Sequence, residues 1–152
     1  MPLTIIAIGK KHESWIAEGL ARYEKRLKAP FLVNWVLLPH SSLEGVSARQ
    51  EESERIQKRL EDFDYVVILD ERGRELNSPT LAATLTNELD RSKRVALVIG
   101  GAYGVADELR NNSQLVLSLS PLVFPHQLVR LILVEQLYRA QEITQGGKYH
   151  HK

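Results

Sequence analysis

The residues best suited to chemistry lie at the ends of apolar runs. Ile99-Gly100-Gly101-Ala102-Tyr103-Gly104 closes one such run, and Asp70-Glu71-Arg72-Gly73 closes another. In an open α/β sheet, the carboxyl ends of strands are where ligands bind. The glycines admit two readings, a backbone cradle for a cofactor or simply a tight turn needing positive φ. Their spacing is neither Gly-x-Gly-x-x-Gly nor a Walker loop, so neither a dinucleotide fingerprint nor a phosphate loop is indicated. Asp70 also reads two ways, as a site carboxylate or as the acceptor of a local turn. His40, His126, His150 and His151 lack the spacing of a metal-binding helix, and no cysteine is present, so no metal is expected.

Composition narrows the class of protein. With 152 residues, 43% apolar and 26% charged, the chain has the size and balance of one globular domain, taken as 1–152. The absence of cysteine suits a reducing compartment. Met-Pro-Leu-Thr-Ile-Ile shows no basic leader, and no apolar run is long enough to span a bilayer, so a soluble, cytoplasmic protein without membrane contact is expected. Twenty Lys+Arg against nineteen Asp+Glu leave a net charge of +1, so any affinity for nucleic acid must come from local patches. Lys10, Lys11, Arg22, Lys25, Arg26 and Lys28 form one candidate, with a solvated helix face as the alternative.

Strands and helices alternate along the chain. Leu3 to Ile8 reads as a buried strand, after which Trp15, Ile16, Leu20, Tyr23 and Leu27 recur at helical spacing up to Pro30. Phe31 to Leu38, Tyr65 to Leu69, Arg94 to Ile99 and Leu115 to Leu119 are further strands. A polar loop at Ser41 to Ser47 precedes a charged helix through about Leu60. Ser78-Pro79 caps a helix running to about Leu89, and Val105 to Arg110 forms a short one. This order predicts an α/β fold with a mostly parallel sheet of about five strands and helices on both faces. The last helix, His126 to Thr144, carries Leu128, Leu131, Ile132, Leu133, Val134, Leu137, Tyr138 and Ile143 around most of its circumference. Such a girdle exceeds what one sheet face requires, and a homodimer using this helix is the expectation, with a deeply buried helix in a monomer as the alternative.

Taken in order, Leu69-Asp-Glu-Arg-Gly73, Ile99-Gly-Gly-x-x-Gly104, Leu117-Ser-Leu-Ser120, Phe124-Pro-His-Gln-Leu128, Glu135-Gln-x-Tyr-Arg-Ala140 and Tyr149-His150 resemble the large-subunit ribosomal RNA methyltransferase H family. That family belongs to the SPOUT, or α/β-knot, superfamily, and the resemblance runs from end to end. It implies a carboxyl-terminal trefoil knot, a homodimer, S-adenosyl-L-methionine as cofactor, and methylation of N3 of a pseudouridine in 23S rRNA on the assembled ribosome. The fold it implies is an exception to the rule that chains do not thread their own loops. Family cofactor contacts fall on Leu69, Gly101 and Ser120, Pro121, Leu122, Val123, Phe124 and Pro125, with Gly100 beside them. Val123 stands where the family often has threonine, so any contact there comes from main chain. Lys148 replaces a common proline, and His151 follows the Tyr-His pair.

A ring nitrogen of this kind is a poor nucleophile while protonated, so a base or a nearby cation is required. His126 is the base candidate because its ordinary pKa lies near neutrality. Arg139 is the candidate to stabilise negative charge, with a pair to Glu135 or Glu142 as the plainer reading. Tyr149 and His150 are suited to stack on and hydrogen-bond to an RNA base. In a dimer, the tail of one subunit can complete the pocket of the other. Two rival functions stand beside this one: a ribosome- or nucleotide-binding module without catalysis, and a methyltransferase acting on a small molecule.

Overall fold

The computed structural model describes residues 3–151; Met1, Pro2 and Lys152, the last belonging to the tail considered above, lie outside the described residues. Five strands, β1 (Leu3–Ile8), β2 (Val33–Leu38), β3 (Tyr65–Glu75), β4 (Val95–Ile99) and β5 (Leu115–Ser118), form one parallel sheet in the order β2-β1-β4-β3-β5. The helices are α1 (Ser14–Glu24), α2 (Gly45–Leu60), α3 (Ser78–Asp90), α4 (Asp107–Asn111) and α5 (His126–Thr144). The α/β class and the parallel five-strand sheet match the sequence expectation.

Two apolar cores lie on the two faces of the sheet. Alternate residues of the central strands, such as Ile5, Ala7, Leu97 and Ile99, face a core shared with α1, α3 and α5. Their neighbours Ile6, Ile8, Ala96 and Val98 face Ile56 and Leu60 of α2 and Leu109 of α4. The strands β1 and β4 are therefore buried throughout, as their uninterrupted apolar sequences require. In α1, Ile16 and Leu20 are buried on one stripe, whereas Trp15 lies off that stripe and is 54% exposed. The expected apolar set of this helix loses Trp15 for that reason, and α1 ends at Glu24, with Leu27 buried beyond it.

Phe31, Arg94 and Leu119 lie just outside β2, β4 and β5, α4 is displaced to Asp107–Asn111, and α2 begins inside the expected loop; the cap of α3 and the length of β3 also differ from expectation. Asn77, not Ser78, caps α3: its Oδ1 accepts the Thr80 N–H at 2.8 Å, while Ser78 Oγ donates to Gln136 Oε1 of α5 at 2.7 Å. The strand β3 extends past Leu69 to Glu75 because the chain leaves β5 and returns to it. Leu117 pairs with Leu69 and again with Arg74, so residues 70–73 loop outward between the two contacts. Gly73 makes the return possible, since a Cβ there would lie 2.5 Å from the Val116 carbonyl oxygen.

The wide apolar girdle of α5 is partly accounted for within the chain. This helix lies in the helical layer between α1 and α3, with Leu131 over Gly19 of α1 and Thr144 hydrogen-bonded to Thr86 of α3 at 3.1 Å. Leu133, Val134 and Leu137 point into the core, and Leu128 and Ile132 are half-buried.

Candidate functional site

The carboxyl ends of β3, β4 and β5 diverge around a cavity of about 660 Å³, a size typical for an organic cofactor. Leu69 and Asp70 end one wall, Ile99 to Val105 form the floor, and Leu117, Leu119 and Ser120 supply the opposite wall. Leu122, Val123, Phe124 and Pro125 close over it, and His126 stands at the start of α5. Of the expected cofactor residues, Leu69, Gly100, Gly101, Ser120, Leu122, Val123, Phe124 and Pro125 all line this cavity. Pro121 does not line it; it occupies the turn in which Ser120 Oγ accepts the Leu122 N–H at 3.0 Å.

The loop's composition follows from that position. Leu122 and Val123 are 69% and 77% exposed, so the apolar lips are mostly uncovered. Burial of such side chains by a ligand stabilises the complex at about 25 cal/mol per Å² of apolar surface. Leu69, Leu117, Leu119 and Phe124 offer flat apolar walls, and the backbone of the glycine turn and of residues 120–125 supplies N–H and C=O groups. That donor set fits a ligand with an aromatic ring and a polar edge, as an adenine nucleoside has.

Beneath the glycine turn lies a group that the sequence did not announce. Glu52 of α2 is 4% exposed; Oε2 accepts the Ser41 N–H at 2.9 Å and lies 3.9 Å from His40 Nδ1, and Oε1 is buried without a partner among the described residues. A Cβ on Gly101 would meet that Oε1 at 2.6 Å. The glycine is thus required by close approach rather than by positive φ. In a helix written Glu-Glu-Ser-Glu-Arg, one buried carboxylate carries no signal that separates it from its solvated neighbours.

His126 stacks edge-on against His40, ring centroids 6.0 Å apart. Burial, with the charges of Arg130 and His40 added, holds its pKa below the ordinary histidine value, against a weaker pull from Glu13 and Glu52. The imidazole is therefore neutral near pH 7 and able to accept a proton. Asp70 differs. Burial alone would raise its pKa, but hydrogen bonds from Arg72 and the charges of Arg72 and Arg110 hold it below the usual carboxylate value. Its Oδ1 accepts the Arg72 N–H at 2.8 Å, which makes it the acceptor of a local turn.

The other expected catalytic residues gather elsewhere. Arg139 Nη2 contacts Glu135 Oε2 at 2.6 Å, Nη1 donates to His150 Nδ1 at 3.0 Å, and its guanidinium sits 4.8 Å from the Tyr149 ring centre. Tyr149 donates its hydroxyl to Glu135 Oε2 at 2.9 Å and packs edge-on against Tyr138. Burial first, and then the hydrogen bond to Glu135, keep that hydroxyl protonated. The plainer reading of Arg139, a pair with Glu135, is realised. His150 and His151 line a second cavity, which shares Leu117 and Leu119 with the first. His126 and Arg139 are thirteen residues apart on one helix, about 20 Å at 1.5 Å per residue, so one chain does not bring them together.

The parallel sheet with its ligand cavity is matched by known proteins. The family model described as "Predicted SPOUT methyltransferase" matches residues 1–150. A probable methyltransferase from Bordetella pertussis superposes with a TM-score of 0.60 over 91% of this chain and 95% of its own, at 14% identity. A probable methylase family protein from Haemophilus influenzae gives 0.59 over 99% and 70%, at 12% identity. The chain is a SPOUT methyltransferase by family. Its sequence is 46% identical to the "Ribosomal RNA large subunit methyltransferase H" of Prochlorococcus marinus strain MIT 9313, over 96% of this chain and 94% of the relative. It is 41% identical to the protein of the same name from Acetivibrio thermocellus, over 99% of each. The chain belongs to the ribosomal RNA large subunit methyltransferase H family.

Proposed function

We propose that this protein methylates N3 of a pseudouridine in 23S rRNA, using S-adenosyl-L-methionine, and that it acts in the cytoplasm on the assembled ribosome as a homodimer. The observation that carries this reading is the cavity at the carboxyl edge of the sheet, with an apolar, backbone-lined loop on one side and a neutral histidine at its mouth. The cofactor, when bound, supplies a methyl group on a sulfonium, which is transferred as the C–S bond breaks and the N3–C bond forms. Leu69, Leu119, Leu122 and Phe124 would flank the adenine ring, and the backbone of Gly100, Gly101, Ser120, Val123 and Pro125 would read its polar edge, Pro121 standing outside the cavity. His126 accepts the N3 proton on its free imidazole nitrogen.

The dimer places the tail. Arg139, Tyr149 and His150 of one subunit stand beside the cavity of the other, where the guanidinium stabilises negative charge on the ring and the two rings hold the base. Exposed Trp15 and half-buried Leu128 and Ile132 supply apolar surface for such a contact. The trefoil knot is proposed with it: β5 lies at the sheet edge, and the chain recrosses through residues 119–125 to begin α5 within the helical layer. The whole of 1–152 acts as one domain.

Mass spectrometry of 23S rRNA from cells with and without the gene tests the reaction. Loss of one methyl-pseudouridine on deletion, restored by the protein, is the expected result; an unchanged modification set refutes it. Calorimetric titration with S-adenosyl-L-methionine is expected to give one saturable site per subunit. Saturable binding with no rRNA product would favour the non-catalytic module.

A further inference from the structure

Arg130 is the largest fully buried side chain, with none of its surface exposed. Taking a guanidinium out of water costs several kcal/mol unless its protons are all well placed. Here the terminal amino protons are directed at one short loop, while among the described residues the Nε–H has no partner. Nη2 donates to the carbonyls of Ile8 and Gly9, and Nη1 donates to the carbonyl of Lys11 and to His12 Nδ1, each at 3.0 Å. One turn earlier on α5, Gln127 Nε2 also donates to the Lys11 carbonyl, and its Oε1 accepts the Glu13 N–H, both at 3.0 Å. The segment from Ile8 to Glu13 is therefore fastened to α5 by its own backbone.

That loop buries little apolar surface in return. Lys10 and Lys11 at its crest are exposed, and among the described residues neither forms an ion pair; Lys58 and Arg59 share that property, and what sets the two lysines apart is the fastened backbone beneath them. Glu13, the carboxylate nearest in sequence, is engaged by the Trp15 indole N–H at 2.7 Å. Two histidines link the loop to the mouth of the cavity. A Cβ on Gly9 would lie 3.1 Å from His40 Nε2, and His40 rests against His126. Of the remaining cations of the sequence patch, Arg22 lies in the last turn of α1 and Lys25, Arg26 and Lys28 follow it, so the patch is two separate groups.

We propose that the Lys10–Lys11 loop, fixed by Arg130 and Gln127, is a docking platform for the phosphates of the RNA strand that flanks the target nucleotide. This rests on the proposed rRNA methylation and names the surface by which the same site holds its substrate. A rigid loop suits the task, because two lysines on a preorganised backbone lose less conformational freedom on binding than two on a mobile one. Phosphate contacts position the strand without reading its sequence.

The test is methylation of assembled ribosomes that lack this methyl group, by the protein and by a Lys10→Ala/Lys11→Ala variant, across a salt series. A Lys58→Ala/Arg59→Ala variant, which removes the same charge from the exposed end of α2, is the control. The expected result is a KM for the ribosomal substrate raised at least about tenfold, with kcat far less affected. The slope of log affinity against log salt should fall by roughly 0.7 to 0.9 per lost phosphate contact. Affinity for S-adenosyl-L-methionine, read by calorimetry, should match the unmodified protein. An unchanged KM and salt slope, or an equal change in the α2 control, would overturn the platform. If the unmodified protein itself fails to methylate the assembled ribosomes, the functional reading fails instead, and the two failures are distinct.

Discussion

The two ends of α5 hold the same kinds of residue in opposite states. At the amino end, His126 meets a cavity whose apolar lips are exposed and whose histidine pair makes one ring contact. At the carboxyl end, Glu135, Arg139, Tyr149 and His150 bond to one another in a closed set, one carboxylate oxygen accepting from both the guanidinium and the phenol. An open arrangement leaves groups free for a ligand; a closed one holds a tail in a fixed shape. The contrast teaches that sharing a helix does not make residues parts of one site in one chain. Under the proposed dimer, the carboxyl-end cluster is a preformed piece offered to another copy.

The largest effect should come from the open end. His126→Ala is expected to lower kcat by about 10²- to 10⁴-fold, the usual contribution of a positioned base, with S-adenosyl-L-methionine affinity changed only a few-fold. Single-turnover methylation measures the first and calorimetry the second. A variant that retained full kcat would remove His126 from the chemistry. The closed end is tested next by mixing a His126→Ala subunit with one truncated after Gly147. If the tail serves its partner, each mixed dimer has one site with both parts intact, and random pairing restores about a quarter of the wild-type sites. If the tail serves its own chain, across the wall of Leu117 and Leu119, mixing restores nothing.

Much of this was legible in the sequence, and the gaps have physical causes. The strands and the alternation with helices followed from apolar runs bounded by turn residues, and α5 was read with both its boundaries. The cavity loop from Ser120 to Pro125 was reached through its motif. What could not be read was how residues distant in sequence meet. Glu52 and Arg130 look like ordinary charged positions on helices, and only the packed structure shows one beneath Gly101 and the other inside the layer below Gly9. The excursion at residues 70–73 was missed because Leu117 pairs twice, which no local pattern encodes.

Two glycines sharpen the contrast by a smaller amount. Gly101→Ala would set a methyl group 2.6 Å from a buried carboxylate oxygen, so Glu52 or the turn must shift, and S-adenosyl-L-methionine affinity should fall about tenfold or more. Pairing it with Glu52→Ala should recover part of that loss by making room; no recovery would mean that the turn fails for another reason. Gly73→Ala meets the backbone carbonyl of Val116, which cannot swing aside. It should lower stability by roughly 1–3 kcal/mol in chemical denaturation, at the edge of the sheet and away from His126.

The smallest expected effect is a pH dependence, and its direction separates the two ends of the helix. His126 has a folded pKa below the ordinary 6.5, set first by burial and then by the charges of Arg130 and His40, with Glu13 and Glu52 opposing. His12, also against Arg130, is shifted the same way and for the same leading reason. As pH falls below 6.5, the unfolded chain takes up protons that the folded one resists, so stability should decline until the folded pKa values are reached and then level off. Replacing His126 by Asn should flatten part of that decline, leaving the share of His12. The same shift keeps the imidazole competent as a base at lower pH, and the acid limb of kcat/KM should lie below 6.5. A limb at or above 6.5 would place the titrating base outside the amino end of α5 and reverse the roles assigned to its two ends.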